Sequence, residues 1–144
     1  MVSAVIMGAG RMGTGVTIDL EKDSKIDEIV VVDTNQSSLD KTKAKARTSK
    51  IRTVKADVTD QSNVSLLKKF DVGIGALPHP ASPPALRNAI AAGLSVVDMV
   101  FEPEQWDLDA DAKKAGVTVI PAFGLHPGIA NAFAGHGCSA LAAV

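Results

Sequence analysis

Apolar runs and polar, turn-rich stretches alternate along this chain with almost no slack between them. Residues 2–7 form an apolar run, Ile29, Val30, Val31 and Val32 a β-branched one, and similar runs recur over 51–58, 72–77, 95–99 and 117–123. Each has the length and composition of a strand. The intervals read as helices. Residues 11–22 and 38–48 fill the first two, and in 61–70 the apolar Val64, Leu67 and Phe70 share one helical face. Ser82 followed by Pro83 and Pro84 is an N-cap with proline in the first turn, which predicts a helix running to Ala92 and stopping at Gly93. A polar helix over 107–115 ends at Gly116, and a last one starts near Pro127.

Six strands separated by helices predict an α/β fold, a doubly wound parallel sheet with crossovers on both faces. The expected strand order is 3-2-1-4-5-6. This one domain consumes nearly all of residues 1–144 and leaves no second one to hold a substrate. The final residues 139–144 are apolar where a free terminus is usually polar, so the chain looks cut.

The first strand runs into Gly8, Ala9, Gly10, Arg11, Met12 and Gly13, and Asp33 follows twenty residues after Gly13. In a doubly wound sheet of the Rossmann type these residues have separate tasks. Gly8 permits the tight strand-to-helix turn, Gly10 lets bare backbone approach a pyrophosphate, and Gly13 lets the helix lie close against the strand. The anion rests on unpaired N–H groups around Arg11 and Met12, where the helix dipole adds roughly 0.3–1 kcal/mol per interaction. A lone glycine motif is weak, but this one has a strand before it and a helix after it. Asp33 ends the second strand, the position from which a carboxylate reaches the adenosine ribose. A 2′-phosphate there would meet like charge, costing on the order of 4 kcal/mol at about 4 Å and an effective dielectric of about 20 before screening. Thr34, Asn35 and Gln36 offer no arginine against it, so NAD is expected ahead of NADP. The other reading of Asp33 is that it merely starts a turn.

Composition narrows the class further. The formal net charge is −1 and the hydrophobic fraction 46%. No apolar stretch approaches the roughly 20 residues of a membrane span, and residues 8–13 interrupt the N-terminal run before it could act as a secretory leader. A cytoplasmic protein is expected, and Cys138, the only cysteine, suits a reducing compartment. Lys41, Lys43, Lys45, Arg47, Lys50, Arg52 and Lys55 have no aromatics among them and read as a solvated face, so nucleic acid is not an expected partner. The chain has no tyrosine, which rules out the tyrosine–lysine pair of short-chain dehydrogenases.

Ligands in such sheets bind beyond the carboxyl ends of the strands. Asp57 and Val58 end the third, where Asp57 is either an acceptor for adenine or part of an ordinary turn with Thr59 and Asp60. Ala76, Leu77 and Pro78 end the fourth, and their small residues and rigid turn let backbone approach the ribose and nicotinamide. Asp98 ends the fifth, as a substrate or nicotinamide contact or else a cap. His126, directly after the sixth strand, is the better-placed histidine for proton transfer. His79, between two prolines, reads as a loop residue, and His136 has no third ligand for a metal.

The C-terminal third selects among families that share the glycine motif. Val96, Val97 and Asp98, the spacing to Gly116, Val117, Thr118, Val119, Ile120 and Pro121, and above all Ala122, Phe123, Gly124, Leu125, His126, Pro127, Gly128, Ile129, Ala130 and Asn131 resemble the N-terminal domain of the saccharopine dehydrogenase family, lysine 6-dehydrogenase-like enzymes included. His126 is a departure within that segment. The resemblance covers the whole chain but only the front part of a family member, so residues 124–144 read as the start of a connection to a substrate domain. It implies NAD(P)-dependent chemistry at the carbon–nitrogen bond of an amino acid or imine, with Asp98 and the 124–128 loop at the nicotinamide end. Such a chain is expected to bind the dinucleotide without efficient turnover, and the amino-acid or imine substrate only together with the other domain. Two further readings share the same glycines: a non-enzymatic nucleotide-sensing module, and a relative of homoserine or aspartate dehydrogenases. Homo-oligomer formation stays open.

Overall fold

The computed structural model describes residues 2–142. The two longest strands of its sheet explain the architecture: along β1 (Val2–Met7), Val5 and Met7 enter one apolar cluster while Ala4 and Ile6 enter another. In β2 (Ile26–Asp33), Val30 and Val32 join the first cluster, Ile29 and Val31 the second. Side chains alternate across a strand, so a continuous apolar run needs cover on both faces. Helices α1 (Arg11–Leu20) and α2 (Gln36–Ala44) supply it on one side; α3 (Val64–Leu67), α4 (Ser82–Ala92) and α5 (Asp109–Ala115) supply it on the other.

The remaining strands are β3 (Ile51–Lys55), β4 (Val72–Gly75), β5 (Val96–Asp98) and β6 (Val119–Ile120). All pairings are parallel and the order is β3-β2-β1-β4-β5-β6, as expected from the alternation. The chain leaves β1 toward β3 and returns to β4, so β1 and β4 flank the switch point where such sheets bind ligands.

Several boundaries differ from expectation for local reasons. β2 starts at Ile26 because its polar entry is satisfied: Asp27 accepts from Val2 N (2.7 Å) and Glu28 pairs with Arg52 (2.9 Å). β3 stops at Lys55, since the chain turns at Asp57, whose Oδ1 accepts from Thr59 N (2.9 Å) and Thr59 Oγ1 (2.7 Å). α2 begins earlier than expected, capped by Asn35, whose Oδ1 accepts from Ser38 N at 3.3 Å. The helix expected over 61–70 is a short 3-10 turn, Gln61–Asn63, followed by the single turn of α3. β6 has two residues, because Ala122 adopts φ 57° and ends extended pairing. The last helix, α6 (Ile129–Ala142), does not join either cluster: Phe133 is 72% exposed. Among the described residues no helix is long and apolar enough to cross a membrane.

Candidate cofactor cleft

The floor of the site is the turn between β1 and α1. Gly8 takes φ +108°, and a Cβ there would lie 2.6 Å from the carbonyl oxygen of Ala76. A Cβ at Gly13 would fall onto the carbonyl oxygen of Gly8, so only glycine lets α1 start this close to the strand. Gly10 differs: its backbone is extended and a Cβ would meet no atom within 4 Å. Protein crowding therefore does not require glycine at 10. A side chain there would fill open space above the first turn of α1, which has no side-chain cap. An uncapped helix start with bare backbone in front of it is a receptor for an anion.

Asp33 is bound into this turn. Its Oδ2 accepts from Ala9 N and its Oδ1 from Asn35 N, each at 2.7 Å. The turn that Asp33 was weighed against is thus present, in the Asn35 contact, and a second bond ties β2 to the glycine turn. Each carboxylate oxygen has a further lone pair. Asp33 also lines a cleft of about 300 Å³ with Val32, Thr34, Asp57, Val58 and Leu77, where Pro78 adds the rim. Asp57 is there with Oδ1 committed to Thr59, as in the ordinary-turn reading. Val58 is 4% exposed and belongs to the core beneath the cleft.

On the other side of the β4 exit, Met12, Ala76, Leu77, His79, Met99 and the 124–126 segment line a second cleft of about 310 Å³. Leu77 borders both. Arg11 does not line either cleft, and faces a groove along α1 instead. His126 comes from a loop closed on itself: Gly124 N donates to Pro127 O (3.0 Å), Ile129 N to Gly124 O (3.0 Å) and Gly128 N to Asn131 Oδ1 (3.0 Å). Gly128 has φ +132°, and a Cβ there would fall onto Gly124 O. Gly128 and Asn131 are explained by that closure, and the loop carries His126.

Asp98 must be reassigned. It is 1% exposed, and Oδ2 accepts from Ser82 Oγ and from Gln105 Nε2 (2.8 Å) while Oδ1 accepts from Val100 N (3.2 Å). Closed in this way, it offers no face to a substrate and serves as the cap that was its other reading. It ties the exit of β5 to the start of α4 and to the 3-10 turn Pro103–Leu108. Ser82, predicted as a helix N-cap, directs its hydroxyl to this carboxylate, and Ala81 takes the cap position.

Sequence reasoning missed one pairing at the second cleft's lining: His79, which lines it, has Nδ1 2.6 Å from Glu102 Oε1. The partners are 23 residues apart and in different loops, so no spacing signals them. Among the described residues no three His, Cys, Asp or Glu side chains cluster as metal ligands.

The family described as the saccharopine dehydrogenase NADP binding domain matches residues 4–120. Saccharopine dehydrogenase [NADP(+), L-glutamate-forming] of Saccharomyces cerevisiae is 29% identical over 134 residues, 92% of this chain and 29% of its own length. Its counterpart from Pyricularia oryzae is 30% identical over the same share of both chains. The solved apo structure of the L-Glu-forming saccharopine dehydrogenase from S. cerevisiae superposes with a TM-score of 0.76 at 26% identity, covering 93% of this chain and 30% of that one. The chain thus spans less than a third of the length of these relatives.

Proposed function

Because the chain belongs to the family of saccharopine dehydrogenase NADP-binding domains, we propose that it holds a nicotinamide dinucleotide across the β1/β4 switch point, as the cofactor-binding part of an oxidoreductase acting at the carbon–nitrogen bond of an amino acid or imine. One observation carries this reading: two clefts flank the β4 exit and share Leu77, which lies beside Gly8 of the glycine turn, and the space above Gly10 is open. The pyrophosphate would rest on the N–H groups at Arg11 and Met12, between Gly10 and Gly13. The adenosine would lie against Asp33, Asp57 and Val58, and the nicotinamide beyond Ala76, Leu77 and Pro78 beside His126. When bound, the nicotinamide supplies hydride transfer, and the chain's residues bind and orient it. Residues 124–141, closed at Gly124 and largely exposed beyond it, would lead into a domain that recognises the substrate, so this chain is expected not to turn over alone.

Within this reading NAD is the preferred occupant. The relatives' names specify NADP(+), but here Asp33 and Asp57 line the adenosine-side cleft, and the residues that line it include no Lys or Arg. Charge repulsion then disfavours a 2′-phosphate. Calorimetric titration tests both levels. NADH is expected to bind more tightly than NADPH, and Asp33→Ala to narrow the difference. Binding of neither would overturn the cofactor assignment, whereas tighter NADPH binding would overturn only the role given to Asp33.

A further inference from the structure

His79, which lines the second cleft and is paired with Glu102, is a polar side chain that the reading above leaves unused. A surface hydrogen bond of this kind is ordinarily worth about 1 kcal/mol or less, so its stability contribution does not explain its position. Its mounting is more informative. His79 follows Pro78, which caps the 3-10 turn His79–Ala81, and Glu102 opens the 3-10 turn Pro103–Leu108. Glu102 N donates to Gln105 Oε1 (3.0 Å), and Gln105 Nε2 donates to Asp98 Oδ2 and Ser82 Oγ, each at 2.8 Å. The backbone that carries the Glu102 carboxylate is therefore anchored to the buried network beneath the cleft. The carboxylate only accepts, so it holds the imidazole proton on Nδ1 and leaves Nε2 of the neutral ring as an acceptor. His79 lines the cleft between Met12 of the glycine turn and the 124–126 segment.

We propose that His79 Nε2 accepts a hydrogen bond from the nicotinamide riboside half of the bound dinucleotide, and that Glu102 sets the ring for it. The inference rests on the dinucleotide reading above. His79 is a specificity residue for the second riboside, and Glu102 a positioning residue that acts through it.

Binding of NADH and of ADP to the full chain separates the possibilities, because ADP keeps the adenosine and pyrophosphate but lacks the second riboside. His79→Ala is expected to weaken NADH by about 5- to 10-fold, the upper part of the range for one neutral hydrogen bond, and to leave ADP unchanged. Glu102→Gln, which can donate as well as accept and so no longer dictates the tautomer, is expected to weaken NADH alone and by less. The double variant is expected to be no worse than His79→Ala, the mark of residues that act as one unit. His79→Asn, tested alongside, keeps a donor near Glu102 but has no counterpart of Nε2; it is expected to show the same NADH loss with an unchanged thermal midpoint. An unaltered NADH affinity in His79→Ala and His79→Asn, or an equal loss for ADP, would overturn the proposal while the dinucleotide reading stands. A wild-type chain that binds neither ligand overturns that reading, and the proposal with it.

Discussion

Two glycine-built turns sit at opposite ends of this chain and use the same device in opposite surroundings. At Gly13 and at Gly128 a Cβ would fall onto the carbonyl oxygen of a glycine five or four residues earlier, Gly8 and Gly124 respectively. The first turn is clamped between buried strand ends: Met7 and Val32 are 0% exposed and Gly8 N donates to Val32 O at 2.8 Å. The second leads out to Leu125, 75% exposed, and into a helix that no core cluster covers. Charge divides them too, since residues 121–144 contain no Asp, Glu, Lys or Arg. One turn is rigid because the protein around it is rigid; the other closes through its own hydrogen bonds and needs no core.

That comparison predicts unequal responses to equal insults. Gly13→Ala is expected to have the largest effect, at or above the roughly 1–3 kcal/mol of an overpacked core, with loss of dinucleotide binding; thermal unfolding and titration measure both. Gly128→Ala inserts the same atom against the same kind of oxygen, in a backbone with φ +132°. Its effect on global unfolding is nevertheless expected to stay below about 1 kcal/mol, with amide shifts confined to the 124–131 loop. Equal losses of stability in the two variants would break the comparison.

Acid should act on one region only. Glu21 is held below its ordinary value: burial pushes its carboxyl up, but hydrogen bonds from Thr48 Oγ1 (2.8 Å), Arg47 N (2.8 Å) and Thr48 N (2.5 Å) outweigh that. Asp71 is lowered by its bonds from Ser3 N and Oγ, and Asp60 by those from Ser62. A depressed carboxyl contributes stability that is complete above its unfolded value and is lost as pH falls through the folded one. Hydrogen exchange at decreasing pH is therefore expected to open the joints around Glu21, Asp60 and Asp71 while the 124–128 loop keeps its neutral-pH protection. Glu21→Gln should be less stable than wild type at neutral pH and should lose less on acidification. The smallest effect is expected for Phe133→Ser, within about 0.5 kcal/mol; a larger loss would mean that α6 packs on the domain.

The same division explains what the sequence disclosed. Strand order followed from alternation, because a buried parallel strand must be apolar along its length, and Gly8 and Gly13 carried their steric reasons in their spacing. Asp98 misled because a strand-end carboxylate looks the same whether it faces a cleft or a buried serine; its partners Ser82 and Gln105 lie 16 and 7 residues away. Glu102 was invisible for a similar reason. The early end of β6 at Ile120 also had no signal, since alanine rarely adopts the positive φ found just beyond it at Ala122.

The bond from Ala9 N to Asp33 Oδ2 has a kinetic consequence. By joining the loop after β1 to the end of β2 before any ligand arrives, it makes the receptor preorganised, so encounter need not wait for the loop to order. Loop-ordering entropy is then charged to folding and not to association. Weakening that bond should slow capture of a dinucleotide more than it hastens release.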